Sequence, residues 1–160
     1  MTFINNRPFD RSYSLYYCYI LSKTTILNQT RCQLISNLII EEGKQSPAVE
    51  LKEGILTFHG RAIIEDPKTF FEPVFEWIKE YMKNPASTTL VDIRFEYIDM
   101  PATQSLFKIL TKLGQLNRNG HELKINWYYE YGDIEMVELG EVIQGRLDIP
   151  FDFKETRFAL

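Results

Sequence analysis

Two aliphatic hydroxyl side chains, Thr103 and Ser105, lie in the segment FEYIDMPATQS (95–105), which joins an apolar run to a helical pattern. In α/β proteins the turn from a strand into a helix often holds a phosphoryl group, because the helix N-terminus presents free N–H groups. A hydroxyl in such a turn can also receive a phosphoryl group, which adds a charge of about −1.5 to −2. Phosphoryl chemistry, by binding or by covalent modification, is therefore the first function that the segment suggests.

Three acidic side chains, Asp92, Glu96 and Glu130, suggest a second kind of chemistry, in which carboxyl groups transfer protons or bind a small molecule. Asp92 and Glu96 alternate with apolar neighbours on one predicted strand, as they would on a strand with one solvated face. A solvated face explains them better than acid–base catalysis does. A small-molecule-binding or catalytic α/β domain that uses these three acids is kept as the alternative hypothesis.

The residue sets typical of enzymes and metal sites are missing from the sequence. His59 and His121 lie on separate predicted elements, with no further histidine or cysteine at ligand spacing. Cys18 and Cys32 both precede the globular pattern, and neither a G-x-S-x-G elbow nor a glycine-rich phosphate loop occurs. We therefore expect a protein that is not an enzyme and that needs no metal or cofactor.

Charge and hydropathy narrow the choice of partner. The net charge is −4, although the first 40 residues carry four basic side chains against one acidic side chain. An acidic body argues against nucleic acid, which is bound through Lys and Arg. The longest apolar run, Tyr13–Leu21, is too short to cross a membrane. We expect a cytoplasmic protein whose partners are other proteins.

Alternating strand and helix patterns begin near residue 35. Two short strands flank a hairpin turn at Glu53-Gly54, and a helix starts at Asp66-Pro67. Later strands are predicted at 88–95, 122–129 and 148–153, with a helix ending at Gly120 and another at 134–145 between them. This order predicts a small α/β sandwich, with a mixed sheet of about four to five strands and three helices packed against it.

Two prolines leave helix boundaries open. Pro73 predicts either a kink in the first helix or a second helix start. Pro101 either places Met100 at the N-cap, or leaves residues 99–102 extended before a helix that begins at Thr103. In both cases Met100 projects outward, where an exposed thioether suits an adaptable protein contact.

Residues 1–34 differ from the rest, since they are basic, rich in Tyr, Ser, Asn and Thr, and not periodic for long. They are either a genuine extension that docks on the domain or the product of a start codon assigned too far upstream. We favour the second explanation, because the domain pattern is complete without them. Residues 35–160 are expected to form a single domain.

Motifs between residues 37 and 153 resemble the SiaC-type regulatory phosphoproteins of bacteria, which are single-domain relatives of the STAS fold of anti-sigma-factor antagonists. The matching segments include GKQSPAVEL, GILTFHGR, FFEPVFEW, RFEYIDM, INWYYEY and LDIPFDF. The resemblance implies a non-enzymatic adaptor that binds and activates a diguanylate cyclase, which raises cyclic-di-GMP and promotes biofilm or aggregation. It also implies a Ser/Thr kinase that switches the adaptor off and a metal-dependent phosphatase that restores it.

One position departs from the family pattern. The resemblance aligns the phosphorylated threonine of the family with Met100, and methionine cannot be phosphorylated. Either the phosphoacceptor has moved to Thr103 or Ser105, or phosphoregulation is lost and the adaptor binds its partner constitutively; we favour loss. The partner is expected to bind the loop 97–105 and the helix after it, through Tyr97, Ile98, Asp99, Met100, Pro101, Thr103 and Gln104.

Overall fold

The structure, a computed structural model, describes residues 35–157. The predictions for residues 1–34, including Cys18 and Cys32, lie outside the described residues. Within the described range the chain forms six strands and four helices. They are β1 (Leu38–Ile40), β2 (Ala48–Lys52), β3 (Ile55–Ala62), α1 (Pro67–Tyr81), β4 (Thr88–Ile98), α2 (Met100–Leu113), α3 (Gln115–Arg118), β5 (Glu122–Glu130), α4 (Ile134–Leu147) and β6 (Phe151–Thr156).

The sheet is mixed, and its strand order follows the chain order from β1 to β6. β1, β2 and β3 pair antiparallel, whereas β3, β4, β5 and β6 pair parallel. Each parallel connection therefore moves one strand further in the same direction. Because such crossovers are right-handed, α1, α2 and α4 lie on one face of the sheet. The predicted α/β sandwich is confirmed, with one strand more than the predicted four to five.

Side chains alternate across the sheet. Val91, Ile93 and Phe95 of β4 are fully or almost fully buried beneath the helices, together with Trp127 of β5. The opposite face, here called the charged face, carries ion pairs along its strands. These pairs are Glu50–Lys52, Asp92–Arg94, Glu122–Lys124 and Asp152–Lys154. The apolar core therefore lies between the sheet and one layer of helices.

Helix α1 begins as its sequence predicts. Asp66 is the N-cap, and its carboxylate accepts hydrogen bonds from the backbone N–H and the hydroxyl of Thr69. The hydroxyl bond is the main reason that the pKa of Asp66 lies below its ordinary value of 3.8. The helix continues through Pro73 to Tyr81, so Pro73 does not mark a second start. Pro73 is exposed, and water can hydrate the carbonyl group that loses its N–H partner there.

Several elements differ from the prediction, and one of them is β6, which spans Phe151–Thr156 instead of 148–153. β4 continues to Ile98, because Tyr97 and Ile98 pair with Arg61 and Ala62 of β3 beyond a register shift. The helix predicted to reach Gly120 is divided into α2 and α3 at Gly114, although its apolar face stays buried throughout. β1 was not predicted as a strand, because three residues are too few to show an alternating pattern.

Candidate functional site

A tight strand-to-helix junction forms the centre of the candidate site. β4 ends at Ile98, and α2 begins at Met100 after the single residue Asp99. The Asp99 carboxylate accepts hydrogen bonds from the N–H groups of Ala102 (2.8 Å) and Ile64 (2.9 Å). The Asp99 N–H donates to the carbonyl oxygen of Ala62 at 2.9 Å. The junction is thus fixed both to the first turn of α2 and to the chain that leaves β3.

This geometry corrects the prediction of a loop at 97–105. Asp99 is the N-cap and Met100 is the first helical residue, so Met100 is not the cap and the helix does not wait until Thr103. Pro101 fits the first turn, because the N–H that it lacks would have no partner inside the helix. The Asp99 carboxylate, expected at the partner surface, is occupied with backbone N–H groups instead.

The predicted contact residues divide into exposed and buried groups. Met100 is 69% exposed and Tyr97 is 50% exposed, so both present apolar surface. Pro101 and Gln104 are also exposed, whereas Ile98 is buried. The exposed members of the predicted set therefore form a small, largely apolar rim around the start of α2.

The two hydroxyl groups of the segment are bonded within α2. The half-buried Thr103 donates its hydroxyl to the carbonyl oxygen of Asp99 at 2.8 Å. Ser105 is 8% exposed, and its hydroxyl donates to the carbonyl oxygen of Pro101 at 3.2 Å. Neither hydroxyl is displayed on an extended loop.

A groove of about 670 Å³ lies between α2 and α4, beside the end of β4. Its walls are formed mainly by apolar side chains from both helices, with charged residues at its ends. The lining residues are Glu96, Tyr97, Ile98, Met100, Thr103, Gln104, Phe107, Lys108, Asp133, Glu135, Met136, Leu139, Val142, Ile143 and Arg146. A concave, mostly apolar surface with a polar rim is typical of a binding site.

The α4 wall of the groove was not predicted as part of the site. Met136 and Ile143 point inward as the periodicity of α4 predicts, and Leu139 is partly buried against the core. Ile134 and Val142, however, are 68% and 52% exposed. The sequence signal is the presence of large apolar residues outside the inward stripe of the helix, and such residues together mark an interaction surface.

Charge is distributed unevenly along the groove. Glu96, Asp133 and Glu135 lie near the start of the two helices, whereas Lys108 and Arg146 lie further along them. Asp133 also caps α4 by accepting a hydrogen bond from the Met136 N–H at 3.0 Å. Within residues 35–157, neither Lys108 nor Arg146 takes part in a salt bridge. Both cations are therefore available to carboxylates of a partner.

The acids of the alternative hypothesis are placed in different surroundings. Asp92 lies on the charged face and accepts hydrogen bonds from Asn126 (2.6 Å) and Arg94 (2.8 Å). Its side chain is only 13% exposed, so the expectation of a solvated strand face was wrong for this residue. Glu96 is exposed and lines the groove, and Glu130 ends β5. The carboxylate of Asp92 is therefore held by hydrogen bonds from Asn126 and Arg94 on the charged face.

No metal centre is found in the part of the chain that the structure describes, since no three His, Cys, Asp or Glu side chains are grouped to hold an ion. The two histidines are apart. His59 lies on β3, and the His121 ring is within 3.0 Å of the carbonyl oxygen of Ala86. Among the same described residues, no helix has both the length and the hydropathy that a membrane span requires.

Comparison with known proteins gives one family. A family model described as "SiaC family regulatory phosphoprotein" matches residues 40–156. No curated protein gives a significant match. The family match covers all six strands except the first residues of β1, and it includes the strand-to-helix junction and both walls of the groove.

Solved structures with the same fold come from Pseudomonas aeruginosa. SiaC in complex with the diguanylate cyclase SiaD, as its activator, is 20% identical, with a TM-score of 0.69, and the alignment covers 74% of this chain and 99% of that chain. SiaC of the same organism is 21% identical, with a TM-score of 0.69 and coverage of 76% and 99%. Apo-SiaC is 23% identical, with a TM-score of 0.66 and coverage of 74% and 98%. At these identities the likeness shows the fold.

Proposed function

The chain belongs to the SiaC family of regulatory phosphoproteins, and we propose that it is a non-enzymatic adaptor that binds and activates a diguanylate cyclase in the bacterial cytoplasm. A solved structure in which SiaC is bound to a cyclase as its activator supports this class of partner. The adaptor would raise cyclic-di-GMP by protein contact, without chemistry of its own.

The groove between α2 and α4 is the proposed contact site, and its exposed apolar rim is the observation that carries the proposal. Tyr97, Met100 and Val142, which line this concave surface, are each at least half exposed. Exposed apolar side chains gain free energy when a partner covers them, and a charged rim then sets the orientation of the complex. Lys108 and Arg146 supply such a rim at one end of the groove.

The contact is further proposed to be independent of phosphorylation at residue 100. The kinase and phosphatase of the family would have no hydroxyl to act on there. A shift of the phosphoacceptor to Thr103 or Ser105 is disfavoured, because both hydroxyls are bonded inside the first turns of α2 and Ser105 is also buried. Phosphorylation would have to break the hydroxyl bond of Thr103, or to expose the buried Ser105, so a constitutively binding adaptor fits the geometry better.

The proposal is tested with the purified diguanylate cyclases of the same organism, assayed one at a time for synthesis of cyclic-di-GMP from GTP. The wild-type protein should raise the rate of one cyclase without any phosphatase treatment. Met100→Glu should weaken this stimulation by roughly tenfold or more, because it would bury an unpaired carboxylate in an apolar contact.

Met100→Leu is the matched control and should stimulate the cyclase normally, since it keeps the volume and the apolar character of the side chain. Circular dichroism should show both variants folded, because residue 100 is largely exposed. If Met100→Glu stimulates the cyclase as well as the wild type does, this surface is not part of the interface. If the wild type stimulates none of the cyclases, the adaptor function is refuted.

A further inference from the structure

Met100 differs from the other methionines of residues 35–157 in its access to solvent. It is 69% exposed, whereas Met136 is 6% exposed and Met82 is half-buried against the core. Oxidation of a thioether sulfur follows its exposure. A peroxide in solution should therefore reach the sulfur of Met100 well before it reaches those of Met82 and Met136.

The same residue occupies a position where a change in polarity alters the proposed interface. It is the first residue of α2 and lines the groove beside Tyr97. Because Met100 lies within the proposed contact surface, a covalent change that makes its side chain polar would act directly on the partner contact. A thioether offers one reversible covalent change under mild conditions, which is oxidation to the sulfoxide.

We propose that Met100 is an oxidation-sensitive modification site, at which a hydroperoxide converts the thioether to a sulfoxide and thereby weakens cyclase binding. The proposal rests on the adaptor function proposed above. With hydrogen peroxide, the sulfur lone pair attacks one peroxide oxygen, the S–O bond forms and the O–O bond breaks, and the second oxygen leaves as water after proton transfer. The sulfur loses two electrons and the peroxide gains them. A sulfoxide reductase reverses the step, with oxidation of two thiols to a disulfide and release of water.

The sulfoxide oxygen needs a hydrogen-bond donor when a partner excludes water, and the first turn of α2 offers few. Pro101 has no N–H, and the N–H groups of Ala102 and Thr103 already donate to Asp99. The charged residues at this end of the groove, Glu96, Asp133 and Glu135, are acids, and ionised carboxylates accept hydrogen bonds without donating them. The oxygen would therefore lose hydration in the complex, and the hydroxyl of Tyr97 and the amide of Gln104, which also line the groove, would offset only part of that loss. Because a sulfoxide carries no net charge, its effect should be weaker than that of a phosphate.

The test combines peptide mapping with the cyclase assay on the full chain. After graded hydrogen peroxide treatment, sulfoxide should accumulate at Met100 roughly tenfold faster than at Met136. The affinity for the cyclase should fall by roughly tenfold in proportion to the sulfoxide at Met100. Dithiothreitol alone, which reverses oxidation of Cys18 and Cys32 to disulfides, should not restore it. Dithiothreitol together with methionine sulfoxide reductases of both stereospecificities should restore it.

Met100→Leu supplies the control, since it keeps the apolar contact and has no sulfur at this position. It should bind the cyclase with the same affinity before and after peroxide. Complete sulfoxide formation at Met100 with unchanged cyclase affinity would overturn the switch and leave the adaptor function standing. Equal peroxide sensitivity of Met100→Leu would place the effect at another residue. Failure of the untreated protein to bind any cyclase would overturn the adaptor function, and the switch with it.

Discussion

At the scale of single residues, the side chain at position 100 bears on the proposal that the contact is independent of phosphorylation. Met100 offers no hydroxyl to a kinase, and the neighbouring hydroxyls of Thr103 and Ser105 are hydrogen-bonded within α2. We therefore expect phosphopeptide mapping of protein recovered from its own host to find residues 95–105 unmodified by phosphate. Substantial phosphate on Thr103 or Ser105 would show instead that the switch survives at a shifted position.

Asp99 has a structural role at the junction between β4 and α2. Asp99→Ala would leave the N–H groups of Ala102 and Ile64 without their present partner, so it should lower the free energy of unfolding by about 1–3 kcal/mol. Urea denaturation measures this loss. Asp99→Asn keeps one acceptor oxygen and should lose distinctly less, and equal losses in the two variants would show that the capping bonds are not what matters.

The sequence draws attention to Met100 at the junction between β4 and α2, but it predicts the geometry of that junction poorly. That Met100 stands where the family pattern has a hydroxyl stays a prediction from the resemblance. The prediction missed Asp99 as the cap of α2, although an aspartate two residues before a proline is a local signal similar to Asp66-Pro67 at the start of α1. The second bond of Asp99, to the Ile64 N–H, joins residues 35 positions apart and depends on the parallel pairing of β3 with β4. A bond between residues so far apart in the chain cannot be predicted from the sequence around Asp99 alone.

At the scale of elements, one glycine lets α4 pack directly against side chains of the sheet. A Cβ atom at Gly140 would lie 2.7 Å from Cε1 of Phe153 and 2.8 Å from ring atoms of Trp127. The Trp127 indole also donates a hydrogen bond to the carbonyl oxygen of Met136 at 3.0 Å. These contacts fix α4, and with it the second wall of the groove.

Two glycines of α4 provide a matched test of this packing. Gly140→Ala should destabilise the domain by about 1–3 kcal/mol, since the added methyl group would overlap the ring of Trp127, which is fully buried. Gly145→Ala, with nothing within 4 Å of the added Cβ, should stabilise it by about 0.5–1 kcal/mol through helix propensity. Thermal and urea denaturation measure both changes. Similar effects at the two positions would contradict the close packing of α4.

Periodicity predicts the long elements well and the short ones poorly. The buried faces of α1, α2 and β5 follow from apolar spacing, as Trp77, Leu110 and Trp127 illustrate. β1 was not predicted, because it has only three residues and is defined by its pairing with β2. The extension of β4 to Ile98 likewise depends on its pairing with β3. Where an element is defined by its neighbour rather than by its own pattern, the sequence alone does not define its limits.

At the scale of the whole described domain, the groove is a consequence of topology. The parallel order from β3 to β6 places α2 and α4 side by side on one face, and the groove lies between these two helices. The sequence indicates the α2 wall through its motif. It does not indicate the α4 wall, because the strand order that makes the two helices neighbours is not encoded in any local pattern.

The central claim, that a cyclase binds this groove, is tested most directly by two substitutions at equally exposed positions. Val142 in the groove is 52% exposed, and Ile55 on the charged face of the sheet is 51% exposed. The dissociation constant of the cyclase should be measured by titration calorimetry for Val142→Glu and Ile55→Glu, after both variants are shown to be folded. Val142→Glu is predicted to weaken binding by roughly tenfold or more, and Ile55→Glu to leave it unchanged. The opposite result, with binding lost in Ile55→Glu and kept in Val142→Glu, would place the partner on the charged face and contradict the account.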